Sequence, residues 1–261
     1  AVLPASEAWL GGIAADLALS PADRCLNVMP LFHIHGLVGA LLASLAGGAS
    51  VVCTPGFNER HFFDWVAGFN PSWTTAVPTI HQALLAHGAA YRQKAPAHQF
   101  RFVRSSSAAL PAATLRQLQA LLKAPVVEAY GMTEASHQMA SNPVQAGQQT
   151  PGSVGVPAGA EIAILDAAGQ HLGTGQPGEI SVRGPGVTRG YENNPQANAE
   201  AFHDGWFRTG DLGFVDAQGR LFISGRLKEI VNRGGEKISP REVDEALLEH
   251  ADVAQAAAFG V

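Results

Sequence analysis

Cysteine is nearly absent from this chain of 261 residues: Cys25 and Cys53 are its two cysteines, and they do not form a CxxC pair. Both lie in apolar surroundings, so we expect reduced core thiols of a cytoplasmic protein, not a disulfide or a metal site. Long hydrophobic runs are also lacking. The longest, residues 37–49, is shorter than a membrane span and is interrupted by a serine and two glycines, which predicts a buried helix.

Charge is scarce as well, since Asp, Glu, Lys and Arg together make up 15% of the residues and the net charge is −5. This balance leaves no basic surface for nucleic acid or an anionic membrane, and we expect neither as a partner. The first residues include no initiator methionine and no basic segment typical of a signal peptide, so we expect the chain to be part of a longer protein.

Glycine and proline are plentiful instead, with 29 and 16 residues, and 46% of the chain is hydrophobic. These values are typical of a loop-rich α/β enzyme rather than of a helical bundle. From Leu17 to Ala129, short apolar runs alternate with amphipathic segments, which predicts a parallel sheet covered by helices on both faces. The predicted strands are residues 51–53, 72–77, 100–104 and 126–127, and the predicted helices are residues 37–45, 59–69, 79–87 and 112–122.

Beyond Pro151 the pattern changes to short strands that are separated by glycine and aspartate. The Asp-containing links at residues 166–169 and 216–219 have β-turn chemistry, so we expect a small antiparallel β subdomain. Residues 239–242 form a capping-box motif with proline at the first helical position, which predicts a helix to about His250. The predicted strands of the β subdomain are residues 161–165, 179–183, 212–215 and 221–224.

Residues 130–137, Tyr-Gly-Met-Thr-Glu-Ala-Ser-His, carry more functional information than any other stretch. The ring of Tyr130 can stack on a base, and Gly131 allows a ligand to approach the backbone closely. The hydroxyl of Thr133 can bind a phosphoryl oxygen, and the carboxylate of Glu134 can hold Mg²⁺, which prefers few carboxylates plus phosphate oxygens. By itself the motif is equally compatible with a plain turn at the end of a strand.

Five further motifs follow in order. They are GEISVRGP at residues 178–185, GY at 190–191, WFRTGD at 206–211, GRLKEI at 225–230 and GGEKISP at 234–240. In this order they resemble the adenylate-forming superfamily, which includes acyl-CoA synthetases, the adenylation domains of peptide synthetases and firefly luciferase. The resemblance runs from about Leu26 to the last residue. It is strongest to acyl-CoA ligases, and among these to oxalate–CoA ligases, through PLFHIHG at 30–36, TAVPTIHQ at 75–82 and MTEASHQMASNP at 132–143.

The resemblance implies a fold in three parts. Residues 1–150 correspond to the α/β subdomain of a large adenylation domain, and residues 151–227 to a β-rich subdomain that completes the nucleotide site. Residues 228–261 correspond to a hinge and the start of a small α+β C-terminal domain. The family's phosphate loop has no match and would precede Ala1, and its catalytic lysine would follow Val261. We therefore expect this chain alone to be inactive.

The resemblance also implies an activity. A carboxylate joins ATP to give acyl-AMP and pyrophosphate, and the CoA thiol then takes the acyl group. Thr133 and Glu134 correspond to the phosphate- and Mg²⁺-binding positions of the family. Asp211 corresponds to the acid that accepts both ribose hydroxyls, a role that suits an acceptor-only carboxylate. Arg226 corresponds to a second ribose contact, and Lys228 to the catalytic hinge residue.

The remaining predicted ligand contacts also come from the resemblance. Ser107, Ala108 and Ala109 occupy a segment where the family often has Gly-Gly-Ala, beside the adenine and the acyl group. Here serine narrows the pocket and adds a hydroxyl. Tyr130, Gly131 and Met132 complete the predicted nucleotide-binding set. Gly234 and Gly235 correspond to a loop that lines the tunnel for the pantetheine arm of CoA, although a plain turn explains both glycines equally well.

Four histidines lie within the family motifs, and they bear on the acid substrate. A fatty-acyl pocket is lined by apolar side chains. Here His33 and His137 can donate hydrogen bonds or carry positive charge toward a second carboxylate, and Ser107 can add a donor. This set favours a small, doubly acidic substrate such as oxalate. For His35 and His81 we expect packing roles with hydrogen bonds to the backbone.

The sequence therefore predicts a cytoplasmic, AMP-forming acid–CoA ligase whose partners are ATP, Mg²⁺, CoA and a small carboxylic acid. One alternative is an adenylation domain that loads a carrier protein, although such a domain more often shows an acidic residue that anchors an amino group. A second alternative is a non-catalytic nucleotide-binding module, which would apply if the natural protein also lacked the phosphate loop and the lysine.

Overall fold

The computed structural model describes residues 7–93, 98–234, 236–250, 252–253 and 256–260. The first half of the chain alternates strands with helices. Its strands are β1 (Arg24–Asn27), β2 (Ser50–Cys53), β3 (Trp73–Ala76), β4 (Phe102–Ser105), β5 (Val126–Met132), β6 (His137–Ser141) and β7 (Val156–Pro157). Its helices are α1 (Glu7–Asp16), a π-helix (His35–Leu42), α2 (Ala43–Ala46), α3 (Phe62–Phe69), α4 (Pro78–Arg92) and α5 (Ala112–Leu122).

These strands form one seven-stranded sheet in the order β2-β1-β3-β4-β5-β6-β7. The first five strands in that order are parallel, and both faces are covered, as the alternating pattern predicts. Neighbouring residues of a strand point to opposite faces. Thus Val127 packs in the core beneath α1 and the π-helix, whereas Val126 packs in the core beneath α3, α4 and α5.

Three strands of this sheet were not predicted from the sequence, namely β1, β6 and the two-residue β7. Strand β1 is only four residues long and begins with an exposed arginine, and β6 reads His-Gln-Met-Ala-Ser, so neither has a strongly apolar pattern. Pairing with neighbouring strands, rather than intrinsic propensity, places both in the sheet. Because β6 and β7 are antiparallel to their neighbours, the sheet is not purely parallel and the antiparallel pairing begins before Pro151.

The apolar run at residues 37–49 is helical, but its form differs from the expectation. The π-helix covers residues 37–42 of the run, and α2 continues it to Ala46. The side chains of Leu37 and Leu45 are exposed, so the run is not buried on all sides. Within the described residues, no helix is both long and apolar enough to cross a membrane.

The second half of the chain forms an antiparallel sheet of five strands. These are β8 (Glu161–Leu165), β9 (Gly178–Arg183), β10 (Phe202–His203), β11 (Trp206–Val215) and β12 (Leu221–Arg226), with α6 (Pro195–Ala201) before β10. The central strand β11 pairs with β9, β10 and β12. In both predicted turns the aspartate stabilises the loop, since Oδ1 of Asp166 and of Asp216 each accepts two backbone N–H groups.

A short 3₁₀ turn (Leu227–Glu229) leads into a hairpin of β13 (Val231–Arg233) and β14 (Glu236–Ile238), and α7 (Pro240–Leu248) follows. Proline lies in the first turn of α7 as predicted, but the predicted capping box does not form. The hydroxyl of Ser239 donates to the carbonyl of Ser224 at 2.7 Å instead of capping the helix. Here a tertiary contact to β12 replaces the local one. The division into three domains stays a prediction.

The two cysteines are free, as expected, but only one is a core thiol. Cys25 on β1 is completely buried, and burial raises the pKa of its thiol. Cys53 is exposed, contrary to the expectation. The reason is its position at the end of β2, which is the edge strand of the seven-stranded sheet.

Candidate functional site

Residues 130–137 run from the last three residues of β5 through a turn to the first residue of β6, so the motif is a β-hairpin. Met132 pairs with His137, and the intervening residues make a single 3₁₀ turn. A Cβ atom on Gly131 would lie 1.5 Å from the carbonyl oxygen of His137. The glycine is therefore required by the neighbouring strand, and its role in the approach of a ligand stays a prediction.

We expect Gly131→Ala to destabilise the chain by more than about 2 kcal/mol, because two backbone segments would have to separate to admit the methyl group. Urea unfolding measures this loss. Gly68→Ala is the matched control, since a Cβ there meets no atom within 4 Å and lies in α3, where alanine is favourable. Equal stability of the two variants would contradict this account of Gly131.

Two adjoining cavities lie at the ends of β4 and β5 and beside the middle of β11. The inner cavity has a volume of about 390 Å³, and the outer cavity has a volume of about 750 Å³. Four predicted residues line both cavities, namely Ser107, Gly131, Met132 and Arg226. The inner cavity is also lined by Ala108, Ala109, Tyr130 and Asp211, and the outer one by His33, Thr133, Glu134, His137 and Lys228. Folding thus brings together residues that are up to 195 positions apart in the sequence, since His33 and Lys228 share one cavity.

Asp211 lies on β11 between two side chains that orient its carboxylate. Its Oδ2 accepts a hydrogen bond from the hydroxyl of Tyr130 at 2.5 Å, and its Oδ1 accepts one from Nε of Arg226 at 3.0 Å. Burial, and then the neighbouring carboxylate, raises the pKa of Tyr130 well above its usual range, so the phenol remains a donor. The sequence did not predict that the hydroxyl of Tyr130 holds the carboxylate of Asp211. Stacking of its ring on a base stays a prediction.

Glu134 is half-buried in the wall of the outer cavity and is held by a tyrosine. Its Oε1 accepts a hydrogen bond from the hydroxyl of Tyr191 at 3.0 Å. Burial, together with this carboxylate, raises the pKa of Tyr191 to about 12. The sequence indicated Tyr191 as part of a motif but not its role. Thr133 is exposed at the same wall.

The donor set beside Glu134 fits Mg²⁺ only in the company of a phosphate. In the described part of the chain, no group of three His, Cys, Asp or Glu side chains is arranged to hold a metal ion. Glu134 offers a carboxylate, and the cavity around it has room for further oxygen ligands. One or two protein carboxylates plus phosphate oxygens and water are the usual environment of Mg²⁺.

Ser107 adopts a backbone conformation that favours glycine, with a φ of 74°. Its Oγ lies 3.1 Å from Nδ1 of His35, and Nε2 of His35 lies 2.6 Å from Oγ1 of Thr75. The expectation that His35 bonds to the backbone is therefore wrong, because side chains engage both of its ring nitrogens. His81 does bond to the backbone, through the carbonyl of Arg104 at 3.3 Å.

His137 is completely buried except where it lines the outer cavity, and it is held by Arg104. Nη1 of Arg104 lies 2.8 Å from Nε2 of His137. Burial, and then this guanidinium, holds the pKa of His137 well below its usual range. Of the two options that the sequence left open for His137, the lowered pKa favours donation of a hydrogen bond over a positive charge. His33 is exposed at the same cavity, with Nδ1 accepting from the backbone N–H of His35.

A chain of hydrogen bonds behind His137 was not predicted from the sequence. Nη2 of Arg104 donates to Oε1 of Gln138 at 2.8 Å, and Nε2 of Gln138 donates to Oδ2 of Asp16 at 2.9 Å. One signal was available, because Arg104 interrupts the apolar pattern of a strand that is otherwise predicted to be buried. A charge at such a position needs partners or a function.

The predicted hinge and CoA residues lie at the far side of the outer cavity. Lys228 is exposed in the 3₁₀ turn and lines that cavity. Gly234 has a φ of 63° and lies in the turn of the β13–β14 hairpin, as a plain turn would require. Gly235 lies outside the described residues. The hinge and CoA roles stay predictions.

Residues 5–192 of the chain match the AMP-binding enzyme family. The chain belongs to this family. It is 48% identical over 252 residues to an oxalate–CoA ligase of Arabidopsis thaliana, and 45% identical over 252 residues to a sulfoacetate–CoA ligase of Cupriavidus necator. These alignments cover 95% of the chain but 49% and 48% of the two relatives, so the chain spans about half the length of the curated relatives it matches.

A solved structure agrees with the family assignment. ATP-bound MatB from Rhodopseudomonas palustris superposes with a TM-score of 0.87 at 32% identity, over 97% of this chain and 50% of MatB. The predicted resemblance to adenylate-forming enzymes and the predicted α/β fold class are both confirmed. The cavities described above are thus the candidate ligand site of an AMP-binding enzyme.

Proposed function

We propose that this chain forms the nucleotide- and acid-binding part of a full-length, AMP-forming acid–CoA ligase. The ligase would convert a carboxylate, ATP and CoA to acyl-CoA, AMP and pyrophosphate. The observation that carries the proposal is the pair of adjoining cavities, with Asp211 in the inner one, Thr133 and Glu134 in the outer one and Arg226 in the wall of both. That arrangement suits a ribose beside a phosphate and its metal ion.

In this proposal the nucleotide lies across the two cavities. Asp211 accepts the ribose hydroxyls, and its bonds to Tyr130 and Arg226 keep the carboxylate in place before the nucleotide arrives. The hydroxyl of Thr133 donates toward the α-phosphate, where charge develops as the acid attacks. Mg²⁺, when bound by Glu134 and phosphate oxygens, supplies charge neutralisation at the phosphates. Lys228 acts at the hinge for the second half-reaction.

We further propose that the acid is oxalate or another short acid with a second anionic group. His33, Ser107 and His137 line the outer cavity and supply polar donors beside the predicted acyl position. Oxalate and sulfoacetate, the acids of the two relatives, both carry a second anionic group. An apolar acid would leave the buried donor of His137 without a partner, at about 1–3 kcal/mol.

Transfer to CoA is favoured over loading of a carrier protein, because the two relatives described above are CoA ligases. Gly234 and Gly235 are the residues that we assign to the passage for the pantetheine arm. The non-catalytic alternative is less favoured, because the predicted nucleotide contacts converge on the two cavities instead of being scattered.

The proposal is tested with the full-length ligase that contains this chain, by measuring pyrophosphate release and CoA thioester formation. The acids compared are oxalate, malonate, acetate and hexanoate. We expect kcat/KM for oxalate to exceed that for hexanoate by at least about 100-fold, since a site built for polar groups rejects an acid that lacks them. If hexanoate is the best substrate, the assignment to an acid–CoA ligase stands but the preference for a short acid with a second anionic group is refuted. No pyrophosphate with any acid would refute the ligase.

A further inference from the structure

Arg104 is an unusual cation for its position. Among the described residues it is the only lysine or arginine that is fully buried, and there it forms no ion pair with a carboxylate. The nearest acid in its network, Asp16, is reached only through the amide of Gln138. An unpaired buried charge is costly, so a cation that is kept in this state marks a candidate functional position.

The contact between Arg104 and His137 determines which ring nitrogen carries the proton. A guanidinium can only donate, so Nε2 of His137 must accept from Nη1 of Arg104 at 2.8 Å. The ring of His137 is neutral, so its single proton is on Nδ1. Among the described residues Nδ1 has no hydrogen-bond partner, which leaves this N–H as the donor that His137 can offer to a ligand.

The packing around the ring directs that donor. A Cβ atom on Gly39 would lie 2.4 Å from Cδ2 and from Nε2 of His137, so this edge of the ring is closed by the π-helix and by Arg104. His35 stacks against the ring face with 4.9 Å between the ring centroids. Because His137 also lines the outer cavity, the opposite edge with Nδ1 is the one available to a bound acid.

Arg104, His35, His81 and His137 lie close together, and the positive charge among them is on the arginine and not on the histidines. Burial lowers the pKa of Arg104 to about 10, which leaves the guanidinium cationic at neutral pH. Burial also lowers the pKa values of His35, His81 and His137, so their rings are neutral there. The other titratable groups that face Arg104 or His137 are Asp16, Cys25 and His33.

We propose that Arg104 is the positioning and specificity-determining residue of the acid site. Its guanidinium fixes His137 with the Nδ1–H edge toward the outer cavity, and the N–H held there favours an acid with a second anionic group. Gln138 and Asp16 hold the guanidinium in turn. Arg104 acts through His137 and does not itself touch the acid. The specificity role of Arg104 rests on the proposed function, because it assumes an acid with a second anionic group. The tautomer of His137 is independent of that assumption.

A double-mutant cycle in the full-length ligase tests the coupling between the two residues. The wild type is compared with Arg104→Met, His137→Ala and the double variant, with oxalate and with acetate as substrates. Methionine is chosen because it is an apolar side chain of similar length, and urea unfolding of the variant shows whether it still folds. We expect Arg104→Met to lower kcat/KM for oxalate about 10- to 100-fold, mainly through KM, and to lower acetate turnover much less.

The double variant should be no worse on oxalate than His137→Ala alone, within about threefold, because Arg104 acts through the same imidazole. Arg104→Lys, which keeps the charge and a donor, should recover most of the oxalate activity. Additive losses in the double variant, or equal losses for oxalate and acetate, would overturn the specificity role and leave Arg104 as a structural residue. His137→Asn should retain more oxalate activity than His137→Gln, because the asparagine amide lies closer to the Nδ1 position.

The tautomer is measured separately from activity. In the full-length protein with ¹⁵N-labelled histidine, we expect the wild-type His137 signal to show a protonated Nδ1 and an unprotonated Nε2, and Arg104→Met to lose this pattern. A wild-type His137 with its proton on Nε2 would overturn the positioning role whatever the substrate. A protonated Nδ1 in an enzyme that prefers hexanoate would uphold the positioning role while refuting the proposed dicarboxylate.

Discussion

Glu134→Ala in the full-length ligase is expected to lower the rate of acyl-AMP formation by about 100-fold or more, with little loss of AMP affinity. The reason is that its carboxylate would act on Mg²⁺ and the reacting phosphates, and the loss of one such electrostatic contact costs roughly 10²–10³ in rate. Single-turnover pyrophosphate release measures the rate, and isothermal titration with AMP measures the affinity. Glu161→Ala is the matched control, because that glutamate is exposed and paired with Arg183 on β9, outside both cavities.

Asp211→Ala should show the opposite pattern. The ribose is common to ATP and AMP, so both affinities should fall by a similar factor of about 10 or more, as expected for the loss of a charge-assisted hydrogen bond. Asp216→Ala is the control, since Asp216 stabilises a turn of the same sheet without lining either cavity. If Glu134→Ala and Asp211→Ala weaken AMP binding equally, the roles of these two acids are wrongly assigned.

His137→Ala should lower kcat/KM for oxalate about 10- to 100-fold and for acetate far less. Removal of the imidazole deletes a donor that only the second carboxylate uses, and one unsatisfied buried partner costs about 1–3 kcal/mol. Acetate has no such group and loses little. Steady-state kinetics on the two acids, in wild type and variant, give the ratio directly.

The control for this prediction is His81→Ala, which also removes a buried imidazole. His81 bonds to the carbonyl of Arg104 and lines neither cavity, so its loss should affect both acids alike. If His137→Ala lowers oxalate and acetate turnover equally, the proposed recognition of a second anionic group fails. The assignment to an acid–CoA ligase would survive that result.

The larger features of this fold were readable from local patterns. Helix α5 and strand β8 have the predicted bounds, because each combines a clear hydrophobic period with strong end signals. Strands β1 and β6 were missed, because their residues become strand only through pairing with neighbours that are distant in sequence. The sequence predicted a helix over the π-helix but not its type, since apolar periodicity indicates a helix without indicating its hydrogen-bond pattern.

The residues of the candidate site were predictable from the sequence, whereas their hydrogen-bond partners were not. Motif order indicated Asp211, Arg226, Thr133 and Glu134, and all four line the cavities. The partners of these residues were not readable, because the Tyr130 hydroxyl and the Asp211 carboxylate meet across the contact between the two sheets. Contacts of that kind depend on three-dimensional distance, and no spacing in the sequence encodes them.

The sequence by itself determined the family, the α/β class and thirteen of the residues that line the cavities, because these depend on residue types in a fixed order. Only the tertiary structure decided the state of His137. A histidine in a motif is compatible with a charged, an Nδ1-protonated or an Nε2-protonated ring. Burial beside the guanidinium of Arg104 lowers the pKa of the ring, and the contact of Nη1 with Nε2 leaves Nδ1 as the position that we infer for the proton. Protonation follows from the surroundings of a group, and those surroundings exist only in the folded chain.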